Sequence, residues 1–229
     1  MRRTRLGLVA LFGVVALAVA ADPVAAQASR SAGLINELNA KLLYIAVPIT
    51  LLVEFILVYT IVRFKDNDDP SPTRENRRLE ITWTVATAIV LLFVGVASYG
   101  VLANENVTLQ SDAPIAPDEN DVLVHAEAFQ WGWDVRYPQH GNVSAPTGDN
   151  GPRIVVPADQ DLYVTVTSRD VIHGLHVPKL GLKQDAIPGQ ENTIKTVPLE
   201  PGTYQGYCSE YCGVAHSQMY FSIEVVPQE

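Results

Sequence analysis

The sequence predicts a membrane-anchored all-β protein: an N-terminal two-helix transmembrane hairpin, then an exterior Greek-key barrel or sandwich of short strands. Three observations carry this expectation. Two apolar stretches of 21 and 22 residues lie in the first half of the chain, a basic loop separates them, and residues 103–229 break into short β-branched runs divided by prolines. Composition narrows the class further, since 48% of the 229 residues are apolar and only 2 are Cys. That apolar fraction excludes an intrinsically disordered chain, and the cysteine count excludes a disulfide scaffold. A net charge of −9 argues against nucleic acid as a partner, because a phosphate backbone needs a basic face.

Residues 1–28 read as an export signal. Arg2, Arg3 and Arg5 form a positive head, residues 6–20 an apolar run, and Ala26-Gln27-Ala28 the small residues that a signal peptidase accepts, with cleavage expected before Ser29. As a helix the 15-residue run would rise only about 22 Å, short of the ~30 Å hydrocarbon core. The transmembrane hairpin is expected over 29–102. Residues 42–62 and 81–102 are each long enough to span a bilayer, and neither keeps the polar face of a globular helix. The loop 63–80 between them carries Arg63, Lys65, Arg74, Arg77 and Arg78, so the positive-inside rule places it in the cytoplasm and residues 103–229 outside. Glu54 falls near mid-span, where a carboxylate is expensive, which points to a neighbouring membrane protein that shelters it.

Residues 103–229 hold 6 basic and 17 acidic side chains, a net of −11, so the acid is concentrated in the exterior part. Prolines from Pro114 to Pro227 divide it, and between them lie alternating or β-branched runs at 122–128, 133–137, 153–156, 162–167, 193–197, 203–207 and 220–226. Short strands at this spacing, with no helical period, predict an antiparallel sandwich or Greek-key barrel.

The chemistry is concentrated near the end. Residues 207–219 hold both cysteines, Cys208 and Cys212, together with His216 and Met219, while His173 follows Asp170-Val171-Ile172 at what reads as the close of a strand. Two thiolates, two imidazoles and a thioether are donors that copper prefers, whereas Mg²⁺ or Ca²⁺ would take oxygens. Three other readings compete. A Cys208–Cys212 disulfide suits an exported domain but leaves His173, His216 and Met219 without a purpose. A structural zinc site has no use for the thioether. A mononuclear blue-copper site fits Cys212, His216, Met219 and His173 but leaves Cys208 as one thiolate too many. The surplus sulfur is what a second copper would need, with both sulfurs bridging two metals.

With these motifs in hand, the chain resembles subunit II of the haem-copper cytochrome c oxidases over nearly all its length after the signal. The resemblance rests on Cys208-Ser209-Glu210-Tyr211-Cys212-Gly213-x-x-His216-x-x-Met219, on Asp170-Val171-Ile172-His173, and on 180–189 (LGLKQDAIPG). It implies a cupredoxin-like domain over 103–229 with a binuclear copper centre, CuA. Cys208 and Cys212 would bridge the coppers, His173 and His216 would bind one each, and Met219 and the Glu210 carbonyl would be weak ligands. It also implies that the Glu210 carboxylate reaches a Mg²⁺ or Mn²⁺ at the boundary with the catalytic subunit. Glu80 would stand at the cytoplasmic mouth of a proton path, and Trp131, in Phe129-Gln130-Trp131-Gly132-Trp133, would receive electrons from cytochrome c or a small copper protein. Subunit I, with its haems, would reduce oxygen to water and pump protons. Arg136 and Arg169 stand where the family often has docking acids, a departure from its pattern, and a membrane-anchored copper-binding or copper-delivery protein is the alternative reading. His125, His140 and His176 are read as structural.

Overall fold

The computed structural model describes residues 27–72, 74–109 and 117–228. Residues 1–26 of the expected export signal therefore lie outside the described residues. Among the described residues, two long helices are followed by eleven strands. Helix α1 (Arg30–Phe64) has 35 residues, far more than the 21 expected of the span alone. At 1.5 Å per residue it rises about 52 Å, so its first three turns stand clear of a ~30 Å hydrocarbon layer. Ser29 caps it, with its side chain accepting from the backbone N–H of Ala32, and Pro48 lies inside it. Helix α2 (Arg77–Leu102) begins four residues before the expected span, because Asn76 caps it by accepting from Leu79 N–H. Both helices are long and apolar enough to cross a membrane and bury nothing within the chain over their apolar windows. Glu54 is exposed on the outside of α1.

The strands are β1 (Val122–Phe129), β2 (Gly132–Tyr137), β3 (Val143–Ser144), β4 (Thr147–Gly148), β5 (Gly151–Pro157), β6 (Leu162–Ser168), β7 (His173–Val177), β8 (Leu182–Ala186), β9 (Asn192–Thr196), β10 (Gly202–Cys208) and β11 (Tyr220–Val226). They form two sheets, β3-β2-β1-β6-β9 and β4-β5-β11-β10-β7-β8, packed face to face. A cupredoxin-like β-sandwich after two apolar helices is the fold class expected, with one correction. The sheets are mixed and not antiparallel, since β1 runs parallel to β6 and β5 parallel to β11. The chain leaves β1 by a hairpin, crosses to the other sheet at β4 and β5 and returns at β6, and such a crossover aligns the strands it joins. Alternation looks the same in either sense, so residue pattern alone could not reveal it.

Inward-facing residues of both sheets meet in one core that includes Val124, Ala126, Trp133, Ile154, Val164, Leu175, Leu182, Phe221 and Ile223. Trp133 packs edge-on against Phe221 with ring centres 5.4 Å apart, and against His173 at 6.4 Å. The core thus extends directly to the first histidine singled out above.

A strap at the head of α1 fastens the anchor to the sandwich. Leu199 N–H donates to Ala28 O at 2.9 Å and Arg30 N–H to Val197 O at 3.0 Å, on either side of a bridge between Ser29 and Pro198. Ser29 Oγ donates to Leu180 O at 2.6 Å, and Ser31 Oγ lies 2.5 Å from both Thr196 Oγ1 and Asn106 O. Beside it, Lys195 Nζ reaches Glu105 at 2.9 Å and Asp161 at 2.7 Å. Burial of the amine opposes its charge, but these two carboxylates and Tyr163 outweigh that and hold the Lys195 pKa above the ordinary lysine range.

Candidate metal centre

The centre is assembled from one strand start and one loop. His173 opens β7 rather than closing a strand, because the preceding Asp170 turn stops the chain of β6 at Ser168. Cys208 ends β10, and residues 209–219 form the loop to β11, with a short 3-10 turn at His216–Gln218. Two backbone bonds lock this loop. Cys208 N–H donates to Met219 O at 3.0 Å across its neck, and Ser209 N–H donates to Gly174 O at 2.9 Å, which pins it to β7. Gly174 leaves room for the second contact, since a Cβ there would overlap Ser209 Oγ.

All six donors expected from the sequence come together. Cys208 Sγ lies 4.0 Å from Cys212 Sγ and 3.8 Å from His173 Nδ1, and it donates to Glu210 O at 3.2 Å. Cys212 Sγ lies 3.5 Å from His216 Nδ1 and 3.3 Å from Met219 Sδ. Each sulfur therefore has its own imidazole and its own weak donor. The two cysteines are free and buried, and a separation of 4.0 Å is about twice a disulfide bond. The donor atoms of His173, Cys208 and Cys212 all lie within 4.8 Å of one another. Burial, reinforced by the neighbouring Cys208 sulfur, pushes the Cys212 thiol well above the ordinary thiol range. A metal must displace that proton to bind. Two buried sulfurs, a buried thioether, the buried His173 imidazole and the half-buried His216 imidazole fit copper, and no carboxylate belongs to the set.

Two residues of this site were missed in the sequence. Asp170 Oδ1 faces His173 Nε2 at 2.9 Å, and Asp170 Oδ2 accepts Gln130 N–H at 2.7 Å. Its burial opposes the charge, yet the bond from His173 and those from Gln130 and Val171 N–H hold the carboxyl below the usual range. A carboxylate can only accept, so Nε2 carries the imidazole proton and Nδ1 is left free for the cluster. Gln130 Nε2 donates to Cys212 O at 2.6 Å, which ties the same segment to the cysteine loop. An acid three residues before a histidine was the available signal for Asp170; for Gln130 there was none.

The remaining candidates lie apart from the cluster. Trp131 is 43% exposed, and its indole sits over Gly213: a Cβ there would be 3.1 Å from both Trp131 Nε1 and Gln130 Nε2. The Glu210 carboxylate points outward and pairs with Lys183 at 3.6 Å. Glu80 is exposed in the first turn of α2, at the other end of the anchor. His176 stacks edgewise on Tyr207, 5.1 Å between ring centres, and takes no part in the cluster. Arg136 pairs with Asp134 at 2.7 Å, while Arg169 pairs with Glu127 and lies 3.6 Å from Asp134.

Known families decide the lineage. The model for the periplasmic domain of cytochrome c oxidase subunit II matches residues 122–226, the model for its transmembrane domain matches 19–101, and a relative from Rickettsia bellii, "Probable cytochrome c oxidase subunit 2", is 34% identical over 205 residues, covering 82% of this chain and 73% of the relative. The chain belongs to the cytochrome c oxidase subunit II family. That family supplies a subunit of an oxidoreductase complex, the haem-copper cytochrome c oxidase. The Cereibacter sphaeroides cytochrome c oxidase subunit 2 is 31% identical over 243 residues, covering 91% of this chain and 75% of its own. The chain spans 62% of the length of the Rickettsia felis relative. Among solved structures, the periplasmic domain of subunit II from Bradyrhizobium japonicum is 33% identical with a TM-score of 0.44, over 49% of this chain and 88% of that one. A haem-copper terminal oxidase dimer is 23% identical with a TM-score of 0.47, over 65% and 99%. The cytochrome c oxidase subunit II family also accounts for the two apolar helices, which are transmembrane.

Proposed function

We propose that this chain is the electron-accepting subunit of a terminal respiratory oxidase and holds a binuclear CuA centre. The observation that carries the proposal is the pair of buried free thiols 4.0 Å apart, each facing one imidazole Nδ1. In this reading Cys208, Cys212, His173 and His216 would hold the coppers, with Met219 and the Glu210 carbonyl as weak donors. When bound, the copper pair takes up and gives back one electron shared over both metals.

The protein's own residues make that exchange fast by keeping the donors still. The loop is locked at its neck and to β7, His173 is held by Asp170, and Trp133 packs against its ring. Ligands fixed on a rigid scaffold move little between redox states. Trp131 would receive the electron from cytochrome c or a small copper protein, a role that its exposure above Gly213 supports. Subunit I of the oxidase then accepts it for oxygen reduction and proton pumping. In the same reading the Glu210 carboxylate would reach a Mg²⁺ or Mn²⁺ shared with that subunit, and Glu80 would serve proton uptake from the cytoplasm. The basic loop 63–80 supports a location in the cell membrane with the sandwich on the extracytoplasmic side.

Absorption and electron paramagnetic resonance of the purified chain after copper addition test this reading. One unpaired electron shared over two coppers is the expected result, whereas a single-copper blue spectrum or no uptake would sink it. Cys208→Ser is expected to abolish the binuclear signal. A copper-delivery protein would release its metal to a competing apo-domain within minutes, and retention of copper under that challenge separates the two readings.

A further inference from the structure

The strap at the head of α1 bears on where the export signal is removed. We propose that the leader is cut at or upstream of the Ala26–Gln27 bond, so that Gln27 and Ala28 remain in the mature chain and complete the joint between the anchor and the sandwich. A cut before Ser29, where Ala26-Gln27-Ala28 would direct it, conflicts with three features of the joint.

The first is the backbone pairing. Ala28 O accepts Leu199 N–H at 2.9 Å, and Arg30 N–H donates to Val197 O at 3.0 Å. Removing Ala28 deletes one of the two bonds and leaves Leu199 N–H without its acceptor. The second is charge. A chain that began at Ser29 would carry an α-ammonium there, protonated through most of the neutral range. Ser29 is fully buried, with its hydroxyl committed to Leu180 O at 2.6 Å and to Ala32 N–H at 3.1 Å. An ammonium in that position would stand among groups already committed to one another and at the N-terminal end of α1, where the helix dipole is already positive. Both effects oppose docking.

The third feature is the packing of Gln27. Its side chain fills the space beside Gly33, where a Cβ would overlap Gln27 Oε1. Gln27 itself is exposed, so a terminus there or earlier keeps the ammonium in water while the strap stays whole. The sequence allows such a cut, because Val24 and Ala26 are small enough for the −3 and −1 positions of a signal peptidase site.

The test is the mass of the N-terminal peptide, read from the full chain expressed with its own leader and purified from membranes. A peptide that contains Gln27 and Ala28 and lacks Met1 is expected. A terminus at Ser29 or beyond, or a leader retained to Met1, overturns the proposal. A second measurement uses a variant in which Gln27 and Ala28 are deleted, so that a cut after Ala26 starts the mature chain at Ser29 with no carbonyl before it. Its Leu199 and Arg30 amides are expected to exchange with deuterium about fivefold or more faster than in the wild type, as befits a joint that has lost a hydrogen bond. Equal exchange in the two chains counts against the joint as described.

Discussion

Replacing Asp170 with asparagine removes a charge that no metal would touch, yet it should change the centre. The amide can still meet His173 Nε2, but it no longer requires the proton to sit there, so Nδ1 loses its enforced availability. Orienting partners of this kind are worth about 10–100-fold in metal affinity. Asp170→Asn is therefore expected to lower copper retention by about that factor and to shift the reduction potential, checked by copper titration and spectroelectrochemistry. A stability effect follows from the same carboxylate. Its pKa is depressed in the folded state, so its contribution is present above the ordinary aspartate range and is lost as pH falls through the lower folded value. Copper uptake has the opposite origin. The Cys212 thiol is raised, so apo-protein near neutrality holds a proton there, and uptake is expected to quicken as pH rises toward the thiol's range, measured by stopped-flow absorbance. At this scale the donors were legible in the sequence, because five of the six fall within residues 208–219 and His173 sits in a motif of its own. Gln130 was not, and Asp170 showed only as an acid three residues before His173, since their roles depend on which loop folds over which.

Among the elements, β10 and β11 hold the cysteine loop between them, with Gly206 opposite Phe221. A Cβ at Gly206 would overlap the Phe221 ring, and Phe221 is 1% exposed. Gly206→Val should thus overpack the pair, while Phe221→Ala should open a cavity and cost about 3–5 kcal/mol of domain stability. Denaturant unfolding followed by tryptophan fluorescence checks both, and a loss of under 1 kcal/mol for Phe221→Ala would contradict the packing described. The long runs that became β1, β2, β5, β6, β9, β10 and β11 were visible as alternation or β-branching. Strands β7 and β8 were not, because β7 contains Gly174 and His176 and β8 contains Lys183, Gln184 and Asp185. Their pairing, His173 with Ala186 through Val177 with Leu182, supplies the order that their composition lacks.

Over the whole molecule, charge and topology act together. The exterior part carries a net of −11, but next to the Trp131 segment Glu127 and Asp134 are occupied by Arg169 and Arg136. The acid that would steer a basic donor is therefore muted where it is nearest the tryptophan. Arg169→Gln is expected to free Glu127, raise the association rate of a basic cytochrome c by several-fold at low salt, and steepen its ionic-strength dependence. Stopped-flow rates at 10 and 200 mM salt check this, and an unchanged salt slope would remove Glu127 from any docking role. The division into anchor and exterior domain could be read from hydropathy and charge. The strap and the mixed sheets could not, since both depend on segments more than a hundred residues apart in the chain or on strands that meet only after a crossover.

The unbroken run of α1 from the strap into the membrane has a mechanical consequence. A single helix works as a threaded shaft, so each added residue turns the sandwich by about 100° and lifts it by about 1.5 Å. One residue inserted between Asn36 and Lys41 would swing the tryptophan face away from its bearing, whereas seven would return it to within about 20° but raise it by about 10 Å. Comparing electron uptake in the two insertions would separate the angular demand of the docked complex from its demand on height.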